Sequence, residues 1–409
     1  MCKAGGRVRA RHGLRVLSVY EGFFSGGARI VHSDVVLGLA EGGQSHQVLS
    51  IHGEVHREAT RQRMEDDACY RALTAGGVGV TSLGRSAGLV DGTVAANVFS
   101  GPELAETARS MAAADVILSL KEQPLALLNQ AGLPRRPVVV CLHRSDPENQ
   151  GPALAELRAA IADGTVVACV CCAESTRDAY AAAGIPRELL HVIPNGVDLL
   201  RFRPDPAART AFRAALDIPA PAPVTVFAAR YAAMKNVPLF LRAARAWLAR
   251  EPEGHVLMCG AGMTDTNPAL WADLEVAFGT DRHLAQRVRL LGVRRDMETV
   301  YAASDVVALT SASGEAAPLC LIEGMMCGAV PVTTDVGDSA RIVRGHGFVT
   351  PQDPEAIASA WSAAVADRAA LAPALLASRE RFSRTRMIAA YAALLDGVHT
   401  AASRLPEPL

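Results

Sequence analysis

The sequence predicts an α/β fold built on parallel sheets, and three observations carry that prediction. Residues 305–334, DVVALTSASGEAAPLCLIEGMMCGAVPVTT, read as a short apolar strand, a small polar turn, a helix and a second strand. That order is the building block of a parallel sheet. Near the amino end, the apolar run Leu14–Tyr20 passes through the glycine-rich turn 21–28 into a helix from about Arg29 to Glu41. The length, 409 residues, exceeds one core of ordinary size and implies two domains.

The bulk composition narrows the class. Half of the residues are hydrophobic and 20% are charged, as in a soluble globular chain. A formal net charge of −1 argues against nucleic acid as the main partner, because such proteins carry a basic footprint. Nine cysteines are scattered without a framework. The C-x-x-C formed by Cys169 and Cys172 lies in VVACVCCAES, a predicted strand that sends the two to opposite faces. They read as small core hydrophobes in a reducing compartment. The basic start MCKAGGRVRARHGLRVLSVYEG lacks the apolar core of a signal peptide, and no run reaches membrane-spanning length. A cytoplasmic location without a membrane partner is expected.

Taken in order, residues 1–13 form a basic lead-in expected to be disordered. After Leu14–Tyr20, Gly26 and Gly27 suit close approach of backbone to a diphosphate or substrate. No G-x-G-x-x-G is present there, which disfavours a nicotinamide dehydrogenase. Gln47–His52 is a strand, followed by a polar helix over roughly His56–Ala75 whose Glu65, Asp66 and Asp67 form a solvated acidic face. Strands follow at Val116–Leu120 and Val138–Leu142. The second ends in His143-Arg144-Ser145-Asp146, placing a histidine at the carboxyl end of a parallel strand, where function concentrates. Val166–Cys172 is another strand, and Ser175 caps a helix to about Ala183. Asn195-Gly196 is a tight turn, and the proline-rich stretch 204–223, with a short helix near Ala208–Leu216, marks a boundary.

Strand Val224–Ala229 opens the second half, with Arg230 at its end and Lys235 at the start of a helix, Val237–Arg250. A forked guanidinium and a point-charge ammonium beside a helix tip make a good diphosphate grip. Val256–Gly260 and Val288–Leu291 are strands, the latter followed by Gly292-Val293-Arg294. A helix, Asp296–Ala303, leads into the unit 305–334, and the last helices run to about Thr400. In that unit Val306–Thr310 is the strand and Glu315 stands at its carboxyl edge. Pro318 suits the first helical turn. The helix carries Leu319, Ile322, Met325 and Met326 inward and stops at Gly328 as a left-handed cap. Ala329–Thr334 is the next strand. The N–H groups of Ala316, Ala317 and Leu319, around Pro318, form an anion site, while Glu315 and Glu323 offer acceptors to hydroxyls. Acidic charge beside a helix dipole explains the same residues without a ligand.

The Glu-x7-Glu spacing, with Pro318, Leu319 and Gly328-Ala-Val-Pro-Val after it, closely resembles the retaining glycosyltransferases of family 4. Their usual form is E-G-F-P-L-x-L-L-E-A-M-A-x-G-x-P-V. Here Ala316 and Ala317 replace Gly-Phe and Gly324 replaces an alanine. The string I-P-N-G-V-D-x3-F-x-P over residues 193–204 is a hallmark of the same family. Its G-R-x4-K-G is matched as Ala229-Arg230-x4-Lys235-Asn236, with both glycines replaced. Matches recur from about residue 16 to 392.

The resemblance implies a GT-B fold, two Rossmann-like domains facing across a cleft, with the C-terminal helix crossing back to the first domain. The domains would be 1–200, with about 385–409, for the acceptor, and 201–384 for the nucleotide sugar. It implies donor contacts from Gly26, Gly27, Arg230, Lys235, Val293, Glu315, Ala316, Ala317, Pro318, Leu319 and Glu323. It assigns catalysis to Glu315, His143, Arg230 and Lys235, with a UDP-sugar as co-substrate and no metal. The segments VLSVYEGFFSGGARIVHSDVVLGL and CLHRSDP are similar to actinomycete glycosyltransferases that act on 2-deoxystreptamine in aminoglycoside antibiotic biosynthesis. That similarity implies UDP-N-acetylglucosamine as donor and an aminocyclitol acceptor, whose ammonium groups would pair with Glu21, Asp34 and Asp146, His143 lying beside them. UDP-glucose, another acceptor, a lipid-glycosylating relative and a non-catalytic sugar-nucleotide binder remain the alternatives.

Overall fold

Apolar runs of five or so residues, buried on both faces, are the strands of parallel sheets, and here they supply two of them. The computed structural model describes residues 13–23, 26–57, 60–88 and 97–404. The basic lead-in up to residue 12, and residues 24 and 25 of the glycine-rich turn, lie outside the described residues. The chain divides into two compact units, Met1–Gly196 with Arg384–Leu409, and Val197–Ser383.

The first unit holds β1 (Arg15–Gly22), β2 (Ser45–Arg57), β3 (Thr60–Arg63), β4 (Gly79–Ala87), β5 (Val116–Leu120), β6 (Val138–Leu142), β7 (Val166–Cys171) and β8 (Leu190–Val192). Their order is β3-β2-β1-β5-β6-β7-β8, with β4 also on β2. Every pairing is parallel except β2 with β3. All of β5 and β6 is buried. The chain leaves β1 to one side of the sheet and returns for β5 on the other, so the switch point lies between their carboxyl ends. The Arg384–Ala402 helix belongs to this unit. It packs so closely on the Gly27–Glu41 helix that a Cβ at Gly38 would sit 2.1 Å from Ile388 Cδ1.

Three expectations fail here. The polar stretch 56–75 is not one helix: β2 runs on to Arg57, β3 returns antiparallel against it, and only Ala68–Ala75 is α-helical. Asp67 sets that start by accepting hydrogen bonds from the Cys69 and Tyr70 N–H groups at 2.8 and 3.4 Å. It is also ion-paired with Arg29 and only 4% exposed, so it is no part of a solvated face. Ser175 is not a cap either. Ala173 holds that position, and the Ser175 hydroxyl lies 3.0 Å from that of Ser145.

The second unit holds β9 (Val224–Ala228), β10 (His255–Cys259), β11 (Val288–Gly292), β12 (Val306–Leu309), β13 (Val330–Thr334) and β14 (Phe348–Thr350), in the order β11-β10-β9-β12-β13-β14. All pairings are parallel. One face is covered by Phe227, Phe240, Trp247 and Trp361, with ring centroids 4.5 to 5.8 Å apart. The other carries Val307, Leu321, Ile322, Met325 and Met326. Asp305 anchors the amino ends of β9 and β12: it takes Arg213 at 2.8 Å, Arg209 at 2.6 Å and the Val224 N–H at 2.8 Å. The switch point of this sheet lies between β9 and β12.

Candidate functional site

In open α/β sheets ligands bind outside the carboxyl ends of the strands, at the switch point. In the second unit the loops flanking that point carry Arg230 and Lys235 after β9, and residues 311–319 after β12. They are stitched together. Ala312 N–H donates to the Met234 carbonyl at 2.8 Å, and the Thr310 hydroxyl to the Lys235 carbonyl at 3.2 Å. From β13, Thr334 donates to the Ser311 carbonyl at 2.7 Å. Gly337, at φ 61°, lies so close that a Cβ there would fall 2.2 Å from the Glu315 carbonyl oxygen. The Asp335-Val-Gly337 turn therefore serves as a backstop for the loop bearing Glu315.

Glu315 is 7% exposed, accepts a hydrogen bond from Ser311 Oγ at 2.5 Å and is ion-paired with Lys235 Nζ. Lys235 closes a short 3-10 turn, Ala233–Lys235, and the next residue, Asn236, is left-handed at φ 50° and ψ 53°. Asparagine tolerates that conformation, and its side chain also accepts from Leu239 N–H to cap the Val237–Arg250 helix. A residue other than glycine thus keeps the turn that presents Lys235. Arg230 is exposed, its guanidinium 3.8 Å from Met234 Sδ.

The helix after Glu315 runs Leu319–Met326, with Pro318 one position before it as the cap residue rather than inside the first turn. Ala316 is buried, and its carbonyl accepts from Asp338 N–H at 2.8 Å. Glu323 is half-buried beside the Tyr301 hydroxyl, whose ionisation is suppressed by burial and then by the Glu323 charge. Val293 is 72% exposed on the loop after β11, two strands from the switch point.

The first unit distributes its expected residues unevenly. Gly26 precedes the Gly27–Glu41 helix, and a Cβ on it would meet nothing within 4 Å, so no packing among the described residues of this unit demands glycine there. Glu21 is half-buried at the end of β1, its carbonyl accepting from His52 Nδ1 at 2.8 Å. Asp34 is drawn to the C-terminal helix: Arg384 lies 4.0 Å from its carboxylate and donates to its carbonyl. Asp146 is gripped by Arg144 through two hydrogen bonds, 2.7 and 2.6 Å. Those bonds hold its carboxyl below the usual range. Neither aspartate is thus the unengaged acid that an ammonium partner calls for. His143 ends β6 with Nε2 buried and without a hydrogen-bond partner among the described residues. Burial first, and the Lys121 charge second, push its pKa down to about 3. At neutral pH it is an uncharged hydrogen-bonding group.

Glu122, two residues past β5, was missed by sequence reasoning. It is 2% exposed, its Oε1 has no partner among the described residues, and burial pushes its carboxyl up to about 7. Its signal was positional: a charged pair, Lys121-Glu122, directly after an apolar strand at the ligand-binding edge. A cavity of about 520 Å³ lies elsewhere, beside Pro137, Gly164 and the C-terminal helix at the amino ends of β6 and β7. Strand amino ends are the wrong edge for a ligand site in such a sheet, and the two switch points are favoured over it.

Both halves are similar to known proteins. Residues 25–201 match the model described as Glycosyltransferase Family 4, and residues 222–367 the model described as Glycosyl transferases group 1. A D-inositol 3-phosphate glycosyltransferase of Xylanimonas cellulosilytica is 32% identical over 272 residues, which are 64% of this chain and 62% of that protein. The enzyme of the same name from Saccharomonospora viridis is 35% identical over 208 residues, 48% of this chain and 46% of that one. The chain therefore spans less than two thirds of the length of these curated relatives. Among solved structures, Anabaena Alr3699/HepE in complex with UDP superposes with a TM-score of 0.75 at 22% identity, covering 94% of this chain and all of that one.

Proposed function

We propose that this chain, whose two halves match the models of family 4 and group 1 glycosyltransferases, moves a sugar from a UDP-sugar to a small cyclitol with retention of configuration. Its fold is GT-B. The observation that carries the reading is the Lys235–Glu315 pair at the switch point of the second unit, with Arg230 in the same loop. An ammonium has three donors, so Lys235 can keep Glu315 and still meet a phosphate oxygen. Arg230, Lys235 and the tip of the Leu319–Met326 helix then receive the charge that develops on the leaving diphosphate. Glu315 accepts from hydroxyls of the donor sugar and Glu323 from those of the ribose. The bond from the anomeric carbon to the diphosphate breaks, and one to the acceptor oxygen forms on the same face. The acceptor's proton passes to the departing phosphate. His143, kept neutral by burial, offers a hydrogen bond and no charge. UDP as the carrier is supported by the solved neighbours from Anabaena, whose crystals hold UDP, UDP with glucose, or UDP-glucose.

For the donor and acceptor the reading is UDP-N-acetylglucosamine and 2-deoxystreptamine, on the likeness of the β1 and β6 segments noted above. A second acceptor, D-inositol 3-phosphate, is favoured by the names of the curated relatives. Both are hydroxylated six-membered rings, one cationic and one anionic. Mass spectrometry of products from each acceptor with UDP-N-acetylglucosamine and with UDP-glucose decides between them. A product from the inositol phosphate alone overturns the aminocyclitol. With two cations and a helix tip facing the phosphates, transfer should persist in EDTA. Activity lost to EDTA and restored by Mg²⁺ would contradict that.

A further inference from the structure

We infer that Glu122 is the counter-ion for an ammonium group of the acceptor, with His143 Nε2 taking a neighbouring hydroxyl. This rests on the aminocyclitol reading above. Strands β5 and β6 pair in register, Leu120 opposite Cys141, and Lys121 N–H continues the ladder to the Cys141 carbonyl at 3.0 Å. Glu122 and His143 each stand two residues beyond that pair. They follow adjacent strand ends, beside the switch point of the first unit. Each carries a buried polar atom, Oε1 and Nε2, without a partner among the described residues. Buried polar groups are normally satisfied, so two orphans on neighbouring loops of a ligand-binding edge point to a ligand that completes them.

Charge selects the kind of ligand. The charged groups nearest the Glu122 carboxyl are Lys121, Arg144 and Asp146, and the buried Cys169 thiol is also close. Arg144 is committed to Asp146 by its two hydrogen bonds. Lys121, at a left-handed φ of 68°, has no ion pair among the described residues and acts on Glu122 through space. A hydroxyl would satisfy the oxygen but add no charge to the through-space one of Lys121, and a phosphate would oppose the carboxylate. An ammonium group supplies both the hydrogen bond and the charge. Burial keeps much of this carboxyl protonated near neutral pH in the unliganded protein, so binding an ammonium should expel that proton.

Calorimetric titration of 2-deoxystreptamine into the UDP-loaded protein at pH 7, in two buffers of different ionisation enthalpy, reads both effects. The wild type should release roughly half a proton more than Glu122→Gln. The variant should bind about tenfold more weakly or worse, with UDP affinity changed less than about twofold. The amines of the diamine, as alkylammonium groups with ordinary pKa values above 7, are already mostly protonated, so their own uptake is small beside this release. Equal diamine affinity in the variant, or a parallel loss of UDP affinity, overturns the inference. Should the variant fail to fold, the wild type alone decides, since no release across the two buffers overturns it. A wild type that ignores the diamine but glycosylates D-inositol 3-phosphate sinks the acceptor reading together with this one. Glycosylation of the diamine that is indifferent to Glu122→Gln sinks this one alone.

Discussion

Arg230 and Lys235 look alike in the sequence, two cations five positions apart, but the structure gives them different tasks. Lys235 neutralises a buried carboxylate, whereas Arg230 is exposed beside a thioether. Removing one partner of a buried pair leaves an uncompensated charge, at a cost of about 3–5 kcal/mol. Lys235→Ala should therefore weaken UDP binding and also lower the melting temperature. Arg230→Ala should weaken UDP binding about tenfold with no shift in melting. Calorimetry and thermal scans of the two variants separate these outcomes, and equal melting losses would mean that Arg230 is structural. Glu315→Gln keeps the shape and the Ser311 contact but removes the charge that the proposed function sets against the sugar. Its turnover should fall about a hundredfold or more while the UDP dissociation constant stays within about threefold. Unchanged turnover would remove Glu315 from the chemistry.

At the scale of elements, Gly324 is the departure with the clearest physical content. A Cβ there would lie 2.6 Å from Val307 Cγ1, so the Leu319–Met326 helix sits closer to β12 than an alanine would allow. Alanine would gain about 1 kcal/mol in helix propensity but overpack a filled core at about 1–3 kcal/mol. Gly324→Ala should thus destabilise the wild type and become neutral or favourable in a Val307→Ala background. Urea unfolding of the four proteins measures the coupling, and additive effects would refute the clash. The strand–loop–helix–strand order of 305–334 was readable because apolar runs, a proline and a glycine fix it locally. The same holds for Lys235, since its turn depends on one residue, Asn236, that tolerates a positive φ. Other features depend on partners distant in sequence. Residues 60–63 read as part of a polar helix, but pairing with β2 overrides propensity there. Asp67 looked solvated until Arg29, thirty-eight positions earlier, closed over it. Glu122 drew no reading from the sequence, because burial of a carboxylate leaves no mark there beyond its place after an apolar strand. Asp146 looked available because nothing local shows that Arg144 folds back onto it.

For the molecule as a whole, acid should act unevenly on the two units. Burial holds His32 well below its ordinary pKa, His46 at about 4 and His143 at about 3, all in the first unit. The unfolded chain takes up protons below about 6.5 while these native imidazoles do not. The unfolded state therefore binds more protons there, and stability falls as pH falls. At pH 5 each costs on the order of 2 kcal/mol, and three together rival the whole stability of an ordinary domain. Glu122 works in the opposite sense. Its native pKa, about 7, lies above its unfolded value, so its protonated form gains ground below neutrality and offsets roughly one histidine. In the second unit burial lowers His255 and His346 too, but by less, so they contribute less. Limited proteolysis with peptide mapping at pH 7.5 and pH 5 should show early cuts moving into residues 13–196 at the lower pH. First cuts within 197–383 at pH 5, or maps that do not change with pH, would mean that these buried imidazoles do not govern the acid response.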